Sequence, residues 1–468
     1  MYTYQDLLQV RDDENERMKF IRSCIEAHKQ TDLFKNAVVA YEYDKGLNTT
    51  IMEYQKLLYT VTGKVVPDNW SANFKLASRF FNRFVVQENQ YLLGNGVTWT
   101  NDATAEKLGK DFDEKLQDAG KNALVGGVSF GFFNVDHLEV FKVTEFVPLY
   151  DEENGALKAG IRFWQVDDTK PLRATFYEED GYTDYIWGKK VYSGASYTTS
   201  DEVLHAKRKY ILKTRTTEVD GTEIYDGENY PSFPIVPMWG KPHRQSELVG
   251  LREQIDCYDL IKSGYANNVD EDSLIYWTLN NAGGMGDVDL AMFLEKLKTL
   301  KAATLGDGVS AEAHTVETPY ASREALLATL RADMYEDAMA LDTKNIANGA
   351  VTATQIRASY EPLNSKTDQF EYCVRAFLMD ILNLAGIEDE PTFTRSMIVN
   401  SQEEIQLVAT AAQFLDQEYV TRKILTLLGD GDMADEVLDR IAADELERGM
   451  AQDVGEEFET QPEGAEQP

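Results

Sequence analysis

The pentapeptide Gly127-Val128-Ser129-Phe130-Gly131 is a literal G-x-S-x-G, the pattern of a serine nucleophile for acyl transfer. Such an elbow needs a strand before the serine and a helix after it, so that the hydroxyl stands exposed on a sharp turn. Here a helix-like run precedes Ser129 and strand-like sequence follows, which favours a glycine-flanked start of an edge strand over a hydrolase built on Ser129. Phosphate chemistry is equally poorly served. No G-x-x-x-x-G-K-[ST] occurs, and Gly283-Gly284-Met285-Gly286 lacks the strand-to-helix setting of a dinucleotide site. The five His, at 28, 137, 205, 243 and 314, have no ligand-like spacing for zinc. Acidic pairs such as Asp111 with Asp113, or Asp270 with Asp272, have the oxygen chemistry for Mg²⁺ but read as solvated surface among 80 acidic residues. No cofactor is expected. The charges that stand out are Lys296, Lys298 and Lys301 on one helix-like run and Lys344 in a polar break, each of a type that is ordinarily plain surface.

Composition narrows the function class. A net charge of −34 argues against a protein that grips nucleic acid, because neutralising phosphates takes a basic face; it allows one past which DNA slides. Three widely separated cysteines, Cys24, Cys257 and Cys373, each in a helix-like pattern, read as buried apolar residues in a reducing compartment. The first residues carry neither a basic nor an apolar targeting pattern, and no apolar run reaches the roughly 18 residues that span a bilayer, so a soluble intracellular product is expected.

These residues must be positioned by elements whose periodicity changes along the chain. Helices are expected over Asp12–His28, Leu33–Tyr54, Asn73–Asn89, with Phe80, Phe81, Phe84 and Val85 as an apolar stripe, and Asp102–Leu124, with Leu108, Phe112, Leu116 and Ala119 on one side. From Gly126 to Gly240 the period falls to two, which predicts antiparallel strands at Val128–Val135, Leu138–Phe146, Gly160–Val166, Arg173–Glu178, Tyr182–Trp187, Glu202–Leu212 and Ile235–Trp239. Hairpin turns are expected at Asp151–Gly155 and Glu179–Gly181. A helix over Glu247–Asn268 follows. Next comes a compact insert with strands at Ser273–Leu279 and Thr315–Thr318 and a helix at Val288–Leu300, then a helix over Ser322–Asp342 capped by Ser322. The two flanking helices are expected to lie side by side as a stalk. The pattern stops over Thr343–Val351, and Thr352 can cap a long helix in which Ile356, Tyr360, Leu363, Phe370, Val374, Phe377 and Ile381 recur at mostly three- and four-residue steps. Pro362 should bend it. A capping box opens at Ser401, with short helices at Thr421–Leu428 and Met433–Glu447, and an acidic tail from about Ala451 is expected to be disordered.

The order of these parts resembles the portal, or head-to-tail connector, family of tailed bacteriophages, as typified by siphophages of Gram-positive hosts. The resemblance rests on Phe233-Pro234-Ile235-Val236-Pro237, Leu251 through Asn268, Asn281-Ala282-Gly283-Gly284, and Leu341-Asp342-Thr343 leading into Asn348-Gly349 and the helix from Ala353. It implies an α+β portal fold: wing at 1–245, stem helices at 246–269 and 322–342, a small α/β clip at 270–321, and a tunnel loop at 343–352. A long kinked wing helix at 353–394, a helical crown at 395–450 and the tail at 451–468 complete it. It implies no enzymatic activity, and a homo-oligomeric ring, usually dodecameric, at the portal vertex of the capsid in the virion, assembled in the host cytoplasm. Double-stranded DNA passes through the channel during packaging and ejection. Partners on this reading are the terminase large subunit, head-completion or adaptor proteins, and the major capsid and scaffold proteins, with no membrane. Thr343, Lys344, Asn345, Ile346, Ala347, Asn348, Gly349, Ala350, Val351 and Thr352 would line the channel, and Lys296, Lys298 and Lys301 would stand on the clip where terminase and adaptor dock. The alternatives are a non-portal minor capsid or scaffold interaction protein and, less favoured, the hydrolase on Ser129.

Overall fold

The structure is a computed structural model, and it describes residues 2–59, 64–68, 73–193, 196–217, 223–271, 276–280, 286, 288, 292–293, 310–314, 320–344, 353–396 and 401–443. Contacts divide the chain into two units, Met1–Leu341 with Pro362–Ser396, and Asp342–Glu361 with Met397–Pro468.

The first unit opens with helices α1 (Tyr4–Val10), α2 (Glu14–Lys29), α3 (Asp32–Lys45) and α4 (Thr49–Glu53). The hairpin β1 (Leu57–Tyr59) and β2 (Val65–Pro67) precedes α5 (Phe80–Leu93), β3 (Val97–Thr98), α6 (Asp102–Leu108) and α7 (Phe112–Gly126). Ten strands follow: β4 (Val128–Asn134), β5 (His137–Lys142), β6 (Phe146–Tyr150), β7 (Leu157–Trp164), β8 (Leu172–Glu178), β9 (Gly181–Ser193), β10 (Ser196–Arg208), β11 (Ile211–Thr217), β12 (Glu223–Glu228) and β13 (Ile235–Trp239). Helix α8 (Arg252–Glu271), the paired strands β14 (Tyr276–Asn280) and β15 (Ser310–His314), and α9 (Tyr320–Asp337) come next. Helix α10 (Ala353–Ala385) contains Pro362, where the division between the units falls, and β16 (Thr392–Phe393) pairs with β3.

The described sheets are antiparallel throughout, as the period-two region predicts. The largest has the order β10-β9-β8-β7-β6, and a second has β13-β4-β5. Glu178 pairs with Gly181, so Glu179 and Asp180 form a two-residue hairpin. One face of the five-stranded sheet buries Ile161, Phe176 and Tyr185 against Leu7, Ile21 and Ile25 of α1 and α2. A larger core joins Phe81 and Phe84 of α5, Leu116 of α7, Ile255 of α8, Met334 of α9, and Phe370, Val374, Phe377 and Ile381 of α10.

Several expected bounds need correction. The run Leu33–Tyr54 is two helices, because Gly46 takes φ +81° and ends α3. Asp102–Leu124 is likewise broken at Gly109 (φ +95°), where a Cβ would come within 2.4 Å of the Asp136 carbonyl. Leu138–Phe146 and Glu202–Leu212 each cover the end of one strand and the start of another. The stalk helices are shifted: α8 starts at Arg252 after a turn over residues 247–251, and α9 starts at Tyr320, which places Ser322 inside the helix instead of capping it. The described strand before α9 is Ser310–His314, whereas Thr315–Thr318 lies outside the described residues. Cys257 is exposed, unlike buried Cys24.

The most informative correction is at residues 73–79, expected as the first turns of a helix. They are extended along α8, which offers a buried polar row at four-residue steps. Phe74 N–H donates to Asn267 Oδ1 (2.6 Å), Leu76 N–H to Ser263 Oγ (3.0 Å) and Ser78 N–H to Asp259 Oδ1 (2.9 Å). Two extended residues advance about 6.8 Å and four helical residues about 6 Å, so the two spacings match closely enough for three consecutive bonds. Burial raises the Asp259 carboxyl pKa, while its bonds from Asn48 and Ser78 work against that.

The second unit is helical in its described part. It holds the first turns of α10, α11 (Ser401–Ala411), α12 (Gln417–Leu428) and a helix over 434–443, with 3₁₀ turns at Ala412–Phe414 and Gly431–Met433. Asp416 caps α12 by accepting from Glu418 and Tyr419 N–H, and Arg422 joins Glu418 (3.0 Å) to Asp435 (2.8 Å).

Candidate functional site

Ser129 is not a nucleophile. It lies within β4, paired on one side with Met238 and on the other with Lys142, and its fully buried hydroxyl donates to the Ala119 carbonyl at 2.8 Å. The flanking glycines have packing roles. Gly127 (φ +86°) turns the chain out of α7, and a Cβ on Gly131 would come within 2.5 Å of the Phe377 ring. Among the described residues no cluster of His, Cys, Asp and Glu could hold a metal.

The geometry that stands out surrounds the two places where the chain leaves and re-enters the first unit, at Leu341 and Pro362. Helices α8 and α9 pack side by side and antiparallel: Tyr265 meets Tyr320 edge-on (5.5 Å) near one end, and Gln254 donates to Asp337 at the other. Helix α9 closes with a Schellman arrangement. Ala340 N–H reaches the Tyr335 carbonyl (2.9 Å) and Met339 N–H reaches that of Glu336 (2.9 Å). The left-handed position of this motif is usually glycine, as at Gly386 after α10; here it is Met339, at φ +51°.

Helix α5 reaches both chain passages. Arg83 donates to the Tyr335 hydroxyl (2.7 Å). Gln87 accepts from Leu341 N–H (3.0 Å) and donates to the Leu341 carbonyl (3.1 Å). Tyr91 OH donates to Asn364 Oδ1 (2.5 Å), and Arg395 also donates to that oxygen (3.1 Å). Beside this row lies a chain of charges, buried at Glu88, Glu247 and Lys366 and half-buried at Lys241. Lys366 Nζ stands 2.6 Å from Glu88 and 2.9 Å from Glu247, and Lys241 stands 2.5 Å from the other oxygen of Glu247. Burial and the Lys366 charge together draw the Lys241 ammonium pKa down to about 8, against the pull of Glu88. A pocket of about 290 Å³ opens here, with Lys241, His243, Glu247, Asp337, Met339 and Lys366 in its wall.

Of the expected loop residues, Thr343 and Lys344 are described. They form a helical turn in which exposed Lys344 donates its N–H to Asp342 Oδ1 (3.1 Å). Asn345 to Thr352, and the clip lysines Lys296, Lys298 and Lys301, lie outside the described residues. Sequence reasoning missed Gln87, Glu88 and Lys366. The signals were present: Glu88 falls one helical turn from both Phe84 and Leu92, and the seven-residue step from Leu363 to Phe370 contains Lys366 and buried Thr367.

Residues 25–448 match the family described as phage portal protein, SPP1 Gp6-like. The chain belongs to that family. Its members are structural and non-enzymatic proteins, so the assignment closes the hydrolase reading and the non-portal scaffold reading together. The portal protein of Clostridium phage phiCD119 is 24% identical over 353 residues, covering 69% of this chain and 73% of that protein. The portal protein of Bacillus phage SPP1 is 24% identical over 429 residues, covering 82% and 78%. Among solved structures, the neck of a native gene transfer agent particle computed with C12 symmetry aligns with TM-score 0.40 and 11% identity, covering 74% of this chain and 89% of that one. The virion of the native gene transfer agent particle aligns with TM-score 0.43 and 12% identity, covering 75% and 89%.

Proposed function

We propose that this portal protein forms a ring of about twelve subunits at one capsid vertex in the virion, and that double-stranded DNA passes through the ring during packaging and ejection. The family match over residues 25–448 carries the reading. Two further features support it. The first is the braced pair α8 and α9, from which a polar segment departs at Leu341 and returns as a long helix. The second is charge: twelve copies would place about −400 around one channel, enough to repel DNA from the wall and keep it mobile.

On this reading residues 1–245 and 353–394 form the wing, 246–269 and 322–342 the stem, 270–321 the clip, 395–450 the crown, and 451–468 a tail. The loop Thr343 to Thr352 lines the narrow part of the channel, where Lys344 makes transient phosphate contacts. The clip, with Lys296, Lys298 and Lys301, docks the terminase large subunit during packaging and head-completion or adaptor proteins afterwards, and the major capsid and scaffold proteins are further partners. Negative-stain images of the purified protein should show rings with a central hole; particles without a hole would overturn the conduit.

A further inference from the structure

We propose that α5 is the positioning helix of the channel loop: Gln87 and Tyr91, with Glu88 beside them, hold the two roots of the span 342–361 at a fixed separation. This rests on the conduit reading above. Gln87 holds the outgoing root by both of its backbone groups, at 3.0 and 3.1 Å from Leu341. Tyr91 and Glu88 hold the returning root, through Asn364 at 2.5 Å and Lys366 at 2.6 Å. Gln87 and Tyr91 are one helical turn apart, about 6 Å along the axis, so the spacing of the roots is set by a single rod. That rod is anchored independently of the loop, since Phe81, Phe84, Val85, Leu92 and Leu93 sink into the core. The division of the chain into units falls between Leu341 and Asp342 and between Glu361 and Pro362, next to both anchors.

The chemistry of the Gln87 contact is specific. A primary amide offers one acceptor and one donor side by side, which is what the N–H and C=O of a single residue require. As a positioning residue, Gln87 should affect passage of DNA more than it affects stability.

The test compares wild type with Gln87→Met, which keeps the side-chain length and removes both bonds, and Gln87→Glu, which keeps the acceptor for Leu341 N–H and loses the donor. Full-length rings are measured by hydrogen exchange of peptides containing Leu341, by thermal unfolding, and by packaging of linear double-stranded DNA into proheads carrying the ring. For Gln87→Met the expected result is exchange at Leu341 faster by roughly fivefold, the loss of one ordinary hydrogen bond. Packaging should fall several-fold, with ring assembly intact and an unfolding temperature close to wild type. Gln87→Glu should lie between the two, and it carries the test if Gln87→Met does not fold. Unchanged exchange would overturn the clasp. Faster exchange with normal packaging, or a packaging loss that merely tracks unfolding, would overturn the positioning role alone. Wild-type rings through which no DNA passes would overturn the conduit reading and this inference with it.

Discussion

Lys366 offers the sharpest test of the buried charge chain. Its ammonium is shared by Glu88 and Glu247 at 2.6 and 2.9 Å, and the three side chains are nearly excluded from water. Lys366→Met preserves most of the volume but strips Glu88 of its cation, while Glu247 keeps Lys241 at 2.5 Å. Breaking a buried pair from one side costs about 3–5 kcal/mol. At roughly 2.1 cal/mol/K per residue, the roughly 380-residue first unit unfolds with an entropy near 0.8 kcal/mol/K, so Tm should drop by about 4–6 °C. The decisive variant is Glu88→Gln. In the wild-type background it removes a partner of Lys366 and should destabilise. In the Lys366→Met background it removes an uncompensated buried charge and should stabilise by about 1–2 kcal/mol. Scanning calorimetry at one fixed protein concentration reads all four proteins, because assembly would otherwise shift Tm. The same sign for Glu88→Gln in both backgrounds, or a Tm drop under about 1 °C for Lys366→Met, would refute the argument that Lys366 holds two carboxylates together.

Two further outcomes follow from local geometry. Met339→Gly should raise stability by about 0.5–1 kcal/mol, since the left-handed position after α9 penalises any side chain bearing a Cβ; a lower urea midpoint would show that Met339's packing outweighs its strain. On the channel reading proposed above, Lys344→Ala should alter packaging rate or retention of packaged DNA while leaving rings intact, because the exposed ammonium would meet passing phosphates. Unchanged rate, packaged length and retention would remove Lys344 from any role in phosphate contact.

Much of the fold is legible in the sequence, because periodicity reports burial. The stripes Phe80, Phe81, Phe84 and Val85, and Ile356 through Ile381, are buried as their spacing requires, and the antiparallel region from Gly126 to Gly240 is present with its hairpins. What escapes is decided by partners distant in sequence. Residues 73–79 look helical until Asp259, Ser263 and Asn267, almost two hundred positions away, claim their amides. The end of α9 at Asp337 escapes because a methionine occupies the position where a glycine would announce the stop. The family resemblance suggests an order of parts and a channel loop, both of which remain proposals. The clasp from α5 could not be read in the same way, since glutamine on a helix is ordinarily surface and nothing near Gln87 names Leu341 as its partner.

On the ring proposed above, the strip from Phe74 to Ser78 has a further consequence. Exposed main-chain donors on an extended stretch invite strand addition from neighbouring molecules, and crowded identical chains are where such mispairing does most harm. Here every second amide is already satisfied by the chain's own helix, so the edge of this stretch that faces α8 is closed to a neighbouring strand even though side chains such as Phe74 and Leu76 remain open to water.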